Sequence, residues 1–291
     1  MKQYLQIIQN VLDNGILKPN RTKFKTISTT GEMFKHDMRT GYPLITTKFV
    51  PIRLVASELE MFIKGITSKK FLQDRNNHIW DQWCNPQKVQ YSNDDSDIQQ
   101  KMLEEDDLGP IYGYNWRYFG KPYDDRFNSD ITGIDQLKNI VNTIKKNPSD
   151  RRMICTAWDP ISVDSAALPP CHHMFQVVCQ GENFEFLDLI WHQRSADSFL
   201  GVPFDIASYG ILLELLAKET NKIPRLLIGT FADTHIYENH IEQCNTILSR
   251  TPYELPSIEF TEFTSIFDFK YTDVKINNYS YHEKIKAEIA I

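Results

Sequence analysis

The segment Leu168-Pro169-Pro170-Cys171-His172-His173 sets a cysteine behind two prolines and ahead of two histidines. Proline fixes its own backbone angle, so the pair makes a rigid entry that places the thiol well at the start of a strand. A cysteine by itself is just as readily a small, inert core residue. The two histidines invite a cysteine-hydrolase or metal reading. Neighbours along a strand point to opposite faces, however, so Cys171 and His172 are not expected to share a proton or a metal. A second segment, His192-Gln193-Arg194-Ser195-Ala196-Asp197, supplies what such a thiol would use. An arginine near a cysteine lowers the thiol pKa, and Arg194 with Ser195 offers a phosphate both charge and a hydroxyl donor. Arg151-Arg152 and Arg21 are further guanidinium groups. Singly each is a surface charge; together they would make a dianion site.

The rest of the chain must hold these groups in place. It has 291 residues, 41% hydrophobic and 12% aromatic, enough for a packed core and too apolar for a disordered chain. Its 32 basic and 38 acidic side chains give a net charge of −6, which argues against general nucleic-acid binding. No apolar run approaches the roughly 20 residues that span a bilayer, and Gln and Asn interrupt any signal-like N-terminal stretch. Five cysteines without a CxxC or Cys/His cadence predict no metal site, and they suit a reduced, cytoplasmic compartment (host cytoplasm if the source is viral).

Helical spacing marks Leu5, Ile8, Val11 and Leu12 up to Asn14-Gly15; Leu54, Val55, Leu59, Phe62 and Ile63 up to Gly65; and Ile134, Leu137, Val141 and Ile144 up to Asn147-Pro148. Thr26–Met38 reads as a strand. Met174–Cys179 and Phe184–Trp191 read as two strands around a tight turn. Helix is expected over Ile206–Thr220, a buried strand over Leu226–Phe231, a helix over Ile236–Arg250 and strand after Pro256. The mixture predicts one α+β domain over residues 1–291, a large mixed, mostly antiparallel sheet covered by helices. Residues 85–108 stand apart, with seven acids against Lys88 and Lys101, most of the chain's net charge. They read as a solvated surface insertion without chemistry.

The motifs as a set resemble the thymidylate synthase superfamily almost end to end. They are Asn20-Arg21-Thr22, Pro43-Leu44-Ile45-Thr46-Thr47-Lys48, Ser57-Glu58-Leu59, Ile79-Trp80-Asp81-Gln82-Trp83, Gly109-Pro110-Ile111-Tyr112-Gly113, Ser149-Asp150-Arg151-Arg152, the Cys171 and Arg194 segments, Gly201-Val202-Pro203-Phe204, Asp233-Thr234-His235-Ile236-Tyr237 and the terminal Ile289-Ala290-Ile291. Residues 85–108 fall outside the likeness. The resemblance implies a pyrimidine-nucleotide C5 one-carbon transferase using 5,10-methylenetetrahydrofolate, with no metal. Cys171 would add to C6 of the ring. Arg194 would support the thiolate and, with Arg21, Ser195 and the partner subunit's counterparts of Arg151 and Arg152, hold the phosphate, so a homodimer with shared sites is implied. Gln193 and Asp205 would line the base, and His235 and Tyr237 the sugar hydroxyl. Glu58 would relay protons through water, Tyr112 would stand near proton abstraction at C5, and Asp197 would meet the pterin. Ile79, Trp80, Leu168, Gly201, Phe204 and Ile291 would form the apolar folate pocket; without the resemblance each is ordinary core.

Asp205 departs from the family pattern, where Asn donates to uracil O4 and accepts from N3–H. An ionised Asp cannot donate, and an unsatisfied buried acceptor costs about 1–3 kcal/mol. Cytosine reverses the demand, because its amino group donates. The chain is therefore expected to act on dCMP, as the deoxycytidylate methylases and hydroxymethylases of DNA-modifying phages do. The alternatives are a thymidylate synthase converting dUMP to dTMP, in which Asp205 is a helix N-cap exchanged for Asn, and a non-catalytic nucleotide- or RNA-binding homologue. Trp80 and Ile291 argue for a dry site and a methyl product. His173, beside the nucleophile, either orients a water toward a hydroxymethyl product or is a satisfied strand histidine.

Overall fold

The computed structural model describes residues 1–288. In chain order the elements are α1 (Lys2–Asn14), β1 (Ile16–Lys18), β2 (Thr26–Asp37), α2 (Ile52–Ile63), α3 (Lys70–Gln73), α4 (Ser96–Glu104), α5 (Tyr112–Tyr118), α6 (Gln136–Lys146), β3 (Ile154–Thr156), β4 (His172–Gln180), β5 (Phe186–Asp197), α7 (Gly201–Glu219), β6 (Ile223–Tyr237), α8 (Ile241–Ser249), β7 (Ser257–Phe260) and β8 (Val274–Asn277). Strands β1 to β6 form one sheet in the order β1-β2-β6-β5-β4-β3, and β7-β8 is a separate ribbon. Among the described residues only β5 and β6 pair in parallel; α7 makes the crossover that parallel pairing requires. The fold is the expected α+β arrangement, a mixed sheet flanked by helices.

The register decides where the chemistry sits. His172 pairs with Gln193, Asp197 with His235, Ser195 with Asp233, and Thr26 with Tyr237 on one side and Lys18 on the other. The start of β4, the ends of β5 and β6, the start of β2 and the end of β1 therefore meet at one end of the sheet. The N-terminal turns of α7 leave from the same end.

Helix α7 is buried on most sides, from Val202 through Ala217. It packs on the sheet through Tyr209, whose ring stacks on Trp191 at 5.1 Å with the planes 7° apart. Gly229 makes room for that indole: a Cβ there would lie 2.4 Å from the Trp191 ring. Gly113 does the same for helix packing, since a Cβ there would lie 2.5 Å from the Phe62 carbonyl oxygen. The close approach sets Tyr112, first residue of α5, against Phe62 of α2 at 4.8 Å between ring centroids.

Three expectations need correction. The expected strand Leu226–Phe231 is a 15-residue strand reaching Tyr237, so the helix expected from Ile236 begins only at Ile241. Pairing with β2 on one side and β5 on the other satisfies the extra backbone, and neither partner is visible in local pattern. Residues 85–108 are not simply a solvated loop, because they contain α4 and bury Asn85, Met102, Asp107 and Leu108. Among the described residues after Pro256 only β7 and β8 are strands; much of the rest is irregular chain packed on the core.

Replacing Gly229→Ala is expected to destabilise the fold by about 1–3 kcal/mol through overpacking against Trp191. A denaturant midpoint equal to that of the wild type would show that the sheet absorbs the methyl group.

Candidate active site

The converging elements enclose a cleft of about 800 Å³. Cys171 opens onto it just ahead of β4. The register shifts between His172 and Met174, a bulge, and both Cys171 and His172 line the cleft, contrary to simple strand alternation. Tyr112 accepts a hydrogen bond from the Cys171 N–H at 2.8 Å and stacks on the His172 ring at 4.1 Å. His172 Nδ1 meets the Tyr209 hydroxyl at 2.9 Å. Burial drives the His172 pKa down to about 3, so this ring is neutral and acts as a spacer between Tyr112 and Tyr209.

Arg194 donates to the carbonyls of Pro169 (2.7 Å) and Pro170 (3.0 Å), and its Nη2 lies 3.9 Å from Cys171 Sγ. The two prolines thus fix the thiol and hold its cation as well. Burial nevertheless pushes the Cys171 thiol above its ordinary value; Arg194 and Arg21 pull it down and Asp205 pushes it up. The expectation of a lowered thiol pKa is overturned for the protein alone, because desolvation outweighs the guanidinium.

Asp205 is not an N-cap. Helix α7 begins at Gly201, four residues earlier, so capping does not explain the residue. Its Oδ2 accepts from Gln193 Nε2 at 2.8 Å, and Oδ1 lies 3.6 Å from His172 Nε2. With an amide and a neutral imidazole for neighbours, burial pushes the carboxyl up to about 8, and the nearby Glu58 and Asp197 add to the effect. Glu58 accepts from Trp80 Nε1 at 2.7 Å and is pushed up to about 7 by burial. Asp197 Oδ1 accepts from the N–H groups of Phe199 and Leu200, which fixes the turn into α7. Burial thus holds both Asp205 and Glu58 toward their protonated forms.

Arg21, Gln193, Arg194, Ser195, Asp197, Asp205, His235, Tyr237, Leu168 and Gly201 line the cleft with Cys171 and Tyr112. Glu58, Ile79, Trp80 and Phe204 do not; the last three belong to or pack on the core. Arg151 and Arg152 are exposed and do not line the chain's own cleft, with Arg152 paired to Asp150 at 2.6 Å. Ile291 lies outside the described residues. Sequence reasoning missed Trp158, whose ring lies 5.6 Å from the Arg194 guanidinium, and the Lys18–Asp233 ion pair in the cleft wall. Asp233 sits inside a quoted motif, two residues from His235, and that was its available signal. Trp158 had none.

A thiol beside a guanidinium, a buried carboxyl and a second cationic side chain at one cleft suit nucleophilic chemistry on an anionic ligand. The thymidylate synthase family model matches residues 2–291. The chain is 41% identical to the thymidylate synthase of Mesoplasma florum and 38% identical to that of Mycoplasma pneumoniae, each over the full length of both chains. It belongs to the thymidylate synthase family. It is a one-carbon transferase with 5,10-methylenetetrahydrofolate as co-substrate, which sets aside the reading as a non-catalytic homologue. The donors fit that group: Trp83, Ala167 and Leu168 give the cleft an apolar side for a flat ring, next to Asp197. No cluster of three metal-ligating side chains occurs among the described residues, and no described helix is long and apolar enough to cross a membrane.

The rate of Cys171 alkylation should rise with pH through a midpoint above that of a free thiol. Arg194→Met should move the midpoint further up, since the cation favours the thiolate. A midpoint unchanged by the substitution would mean that the guanidinium does not act on the sulfur.

Proposed function

We propose that this enzyme is a thymidylate synthase, methylating dUMP at C5, and that Asp205 reads uracil as a neutral acid. The observation carrying the reading is the burial of Asp205 without a cationic partner, which keeps its proton up to about pH 8. A neutral carboxyl has one O–H donor and one carbonyl acceptor, the pattern an Asn amide offers. Its hydroxyl donates to O4 and its carbonyl accepts from N3–H. The conflict with uracil expected of an ionised Asp then disappears. The two full-length relatives, both named thymidylate synthase, support the same substrate.

Cys171 adds to C6 once its proton has left, and Arg194 stabilises the thiolate. Arg21, Arg194 and Ser195 hold the phosphate, with Arg151 and Arg152 reaching it from the second copy of a homodimer; their absence from their own chain's cleft supports that exchange. His235 and Tyr237 position the sugar. Bound methylenetetrahydrofolate supplies the one-carbon unit and the hydride. Glu58, balanced near neutrality and held by Trp80, exchanges a proton at the ring's O4 side through water. Tyr112, fixed against the Cys171 backbone, stands at the C5 proton, and Asp197 holds the pterin.

A second reading, methylation or hydroxymethylation of dCMP, is favoured by one observation: capping does not account for an Asp at 205. With its proton on the other oxygen the same carboxyl donates to cytosine N3 and accepts from N4–H. Mass analysis of products from dUMP and dCMP, each with methylenetetrahydrofolate, is expected to show a methylated product from dUMP. Consumption of dCMP alone would sink the reading.

Asp205 loses its proton as pH rises through about 8, so dUMP turnover should fall above that value. Asp205→Asn should remove that alkaline limb and lower any dCMP turnover by about 10–100-fold, in line with the roughly 1–3 kcal/mol cost of mispairing a buried polar group. An unchanged pH profile and base preference would show that Asp205 does not meet the base.

A further inference from the structure

We propose that residues 85–108 form a wall of the folate end of the cleft, with Val89, Tyr91 and Met102 covering the aminobenzoyl part of the co-substrate. The inference rests on the reading that the apolar side of the cleft takes the folate.

Four residues of the segment (Pro86, Val89, Tyr91 and Met102) line the same cleft as Cys171 and Leu168. Met102 is buried, whereas Tyr91 is 38% exposed, an aromatic residue at the edge of a cavity. The segment is held rigidly enough to serve as a wall. Its two ends are joined by a hydrogen bond from Asn85 N–H to the Asp107 carbonyl at 2.7 Å. The Asp107 carboxylate gathers Lys88 (3.1 Å), Arg126 (3.5 Å), the Tyr123 hydroxyl and the Gly109 N–H, which holds its pKa below the ordinary value despite burial.

The decisive tie is Lys69, a residue only 1% exposed. Its ammonium donates to three carbonyls: Met102 (2.7 Å), Asp81 (2.9 Å) and Trp83 (3.2 Å). Met102 lies in the last turn of α4, where carbonyls lack helical partners and a cation is favourable. Asp81 and Trp83 belong to the stretch after Trp80, the hydrogen-bond donor to Glu58. A buried lysine that spends all three protons on backbone thus clamps the inserted helix to the strip of chain beside the catalytic acid. A merely solubilising loop would have no use for such a clamp or for apolar side chains turned into the cleft.

Two measurements on the full-length enzyme test this. In steady-state assays, Met102→Gln and the pair Val89→Ser with Tyr91→Ala should raise the KM for methylenetetrahydrofolate about 5- to 10-fold, since burial of a large side chain against a ligand commonly contributes about a factor of ten. The nucleotide KM should stay unchanged in both; the melting temperature should hold for the Val89 and Tyr91 pair and fall for Met102→Gln, which places an amide in a buried site. Folded variants with an unaltered folate KM would overturn the wall. Hydrogen exchange with dUMP bound, before and after adding tetrahydrofolate, reads binding without turnover. Slowed exchange over residues 86–102 together with the Leu168 region supports the proposal. Slowing near Leu168 alone overturns it, and slowing at neither place overturns the folate reading on which it stands.

Discussion

A carboxyl group taken out of water with an amide for its partner must keep its proton, and the base end of this cleft depends on that constraint. Gln193 can donate to Asp205 but cannot neutralise it, and His172, the other neighbour, is itself too buried to be charged. Glu58, close enough to be felt, pushes in the same direction. Two acids close enough to feel each other are therefore both desolvated with their pKa values raised, Asp205 to about 8 and Glu58 to about 7. The state is costly to folding at high pH. A carboxyl whose folded pKa lies above its unfolded one stabilises the fold relatively less as pH rises from the unfolded value through the folded one, here from about 4 to about 8. Retaining such a group in the wall of an enzyme cleft is a mark of function, because a hydrophobic residue of similar size would avoid the penalty.

The thiol obeys the same physics with the opposite need. Desolvation favours neutral Cys171, whereas attack requires its anion. Arg194 is the counterweight, and its placement follows from the proline pair: the carbonyls of Pro169 and Pro170 are the acceptors that hold the guanidinium beside the sulfur. One short segment thus fixes the nucleophile's approach and its electrostatic partner together. The chain of aromatic contacts beside it, stacked from Tyr112 to His172, edge-on from His172 to Tyr209 and stacked again onto Trp191, carries the rigidity of the sheet up to the reacting atom.

Much of this was legible in the residues. The helices at the N-terminus, before Gly65 and before Asn147, and the hairpin around Gly181, follow from periodicity and turn chemistry and appear within a few residues of their expected bounds. The motif order carried the family, and most of the residues it implied share one cleft. The errors share a cause. Strand β6 is long because β2 and β5 flank it, the bulge after Cys171 turns His172 into the cleft, and residues 85–108 pack because Lys69 receives Met102 while Arg126 and Tyr123 receive Asp107. Each depends on partners far away in the chain, which no local window contains.

The sequence by itself determined the chemical inventory: a cysteine behind two prolines, arginines enough for a dianion, and an acid at 205 where the resemblance implies an amide. Only the tertiary structure decided the protonation of that acid and of the thiol. A side chain's charge is set by the water and the partners left to it after packing, and those come from β4, β5, α2 and α7, elements that only the sheet's register brings together.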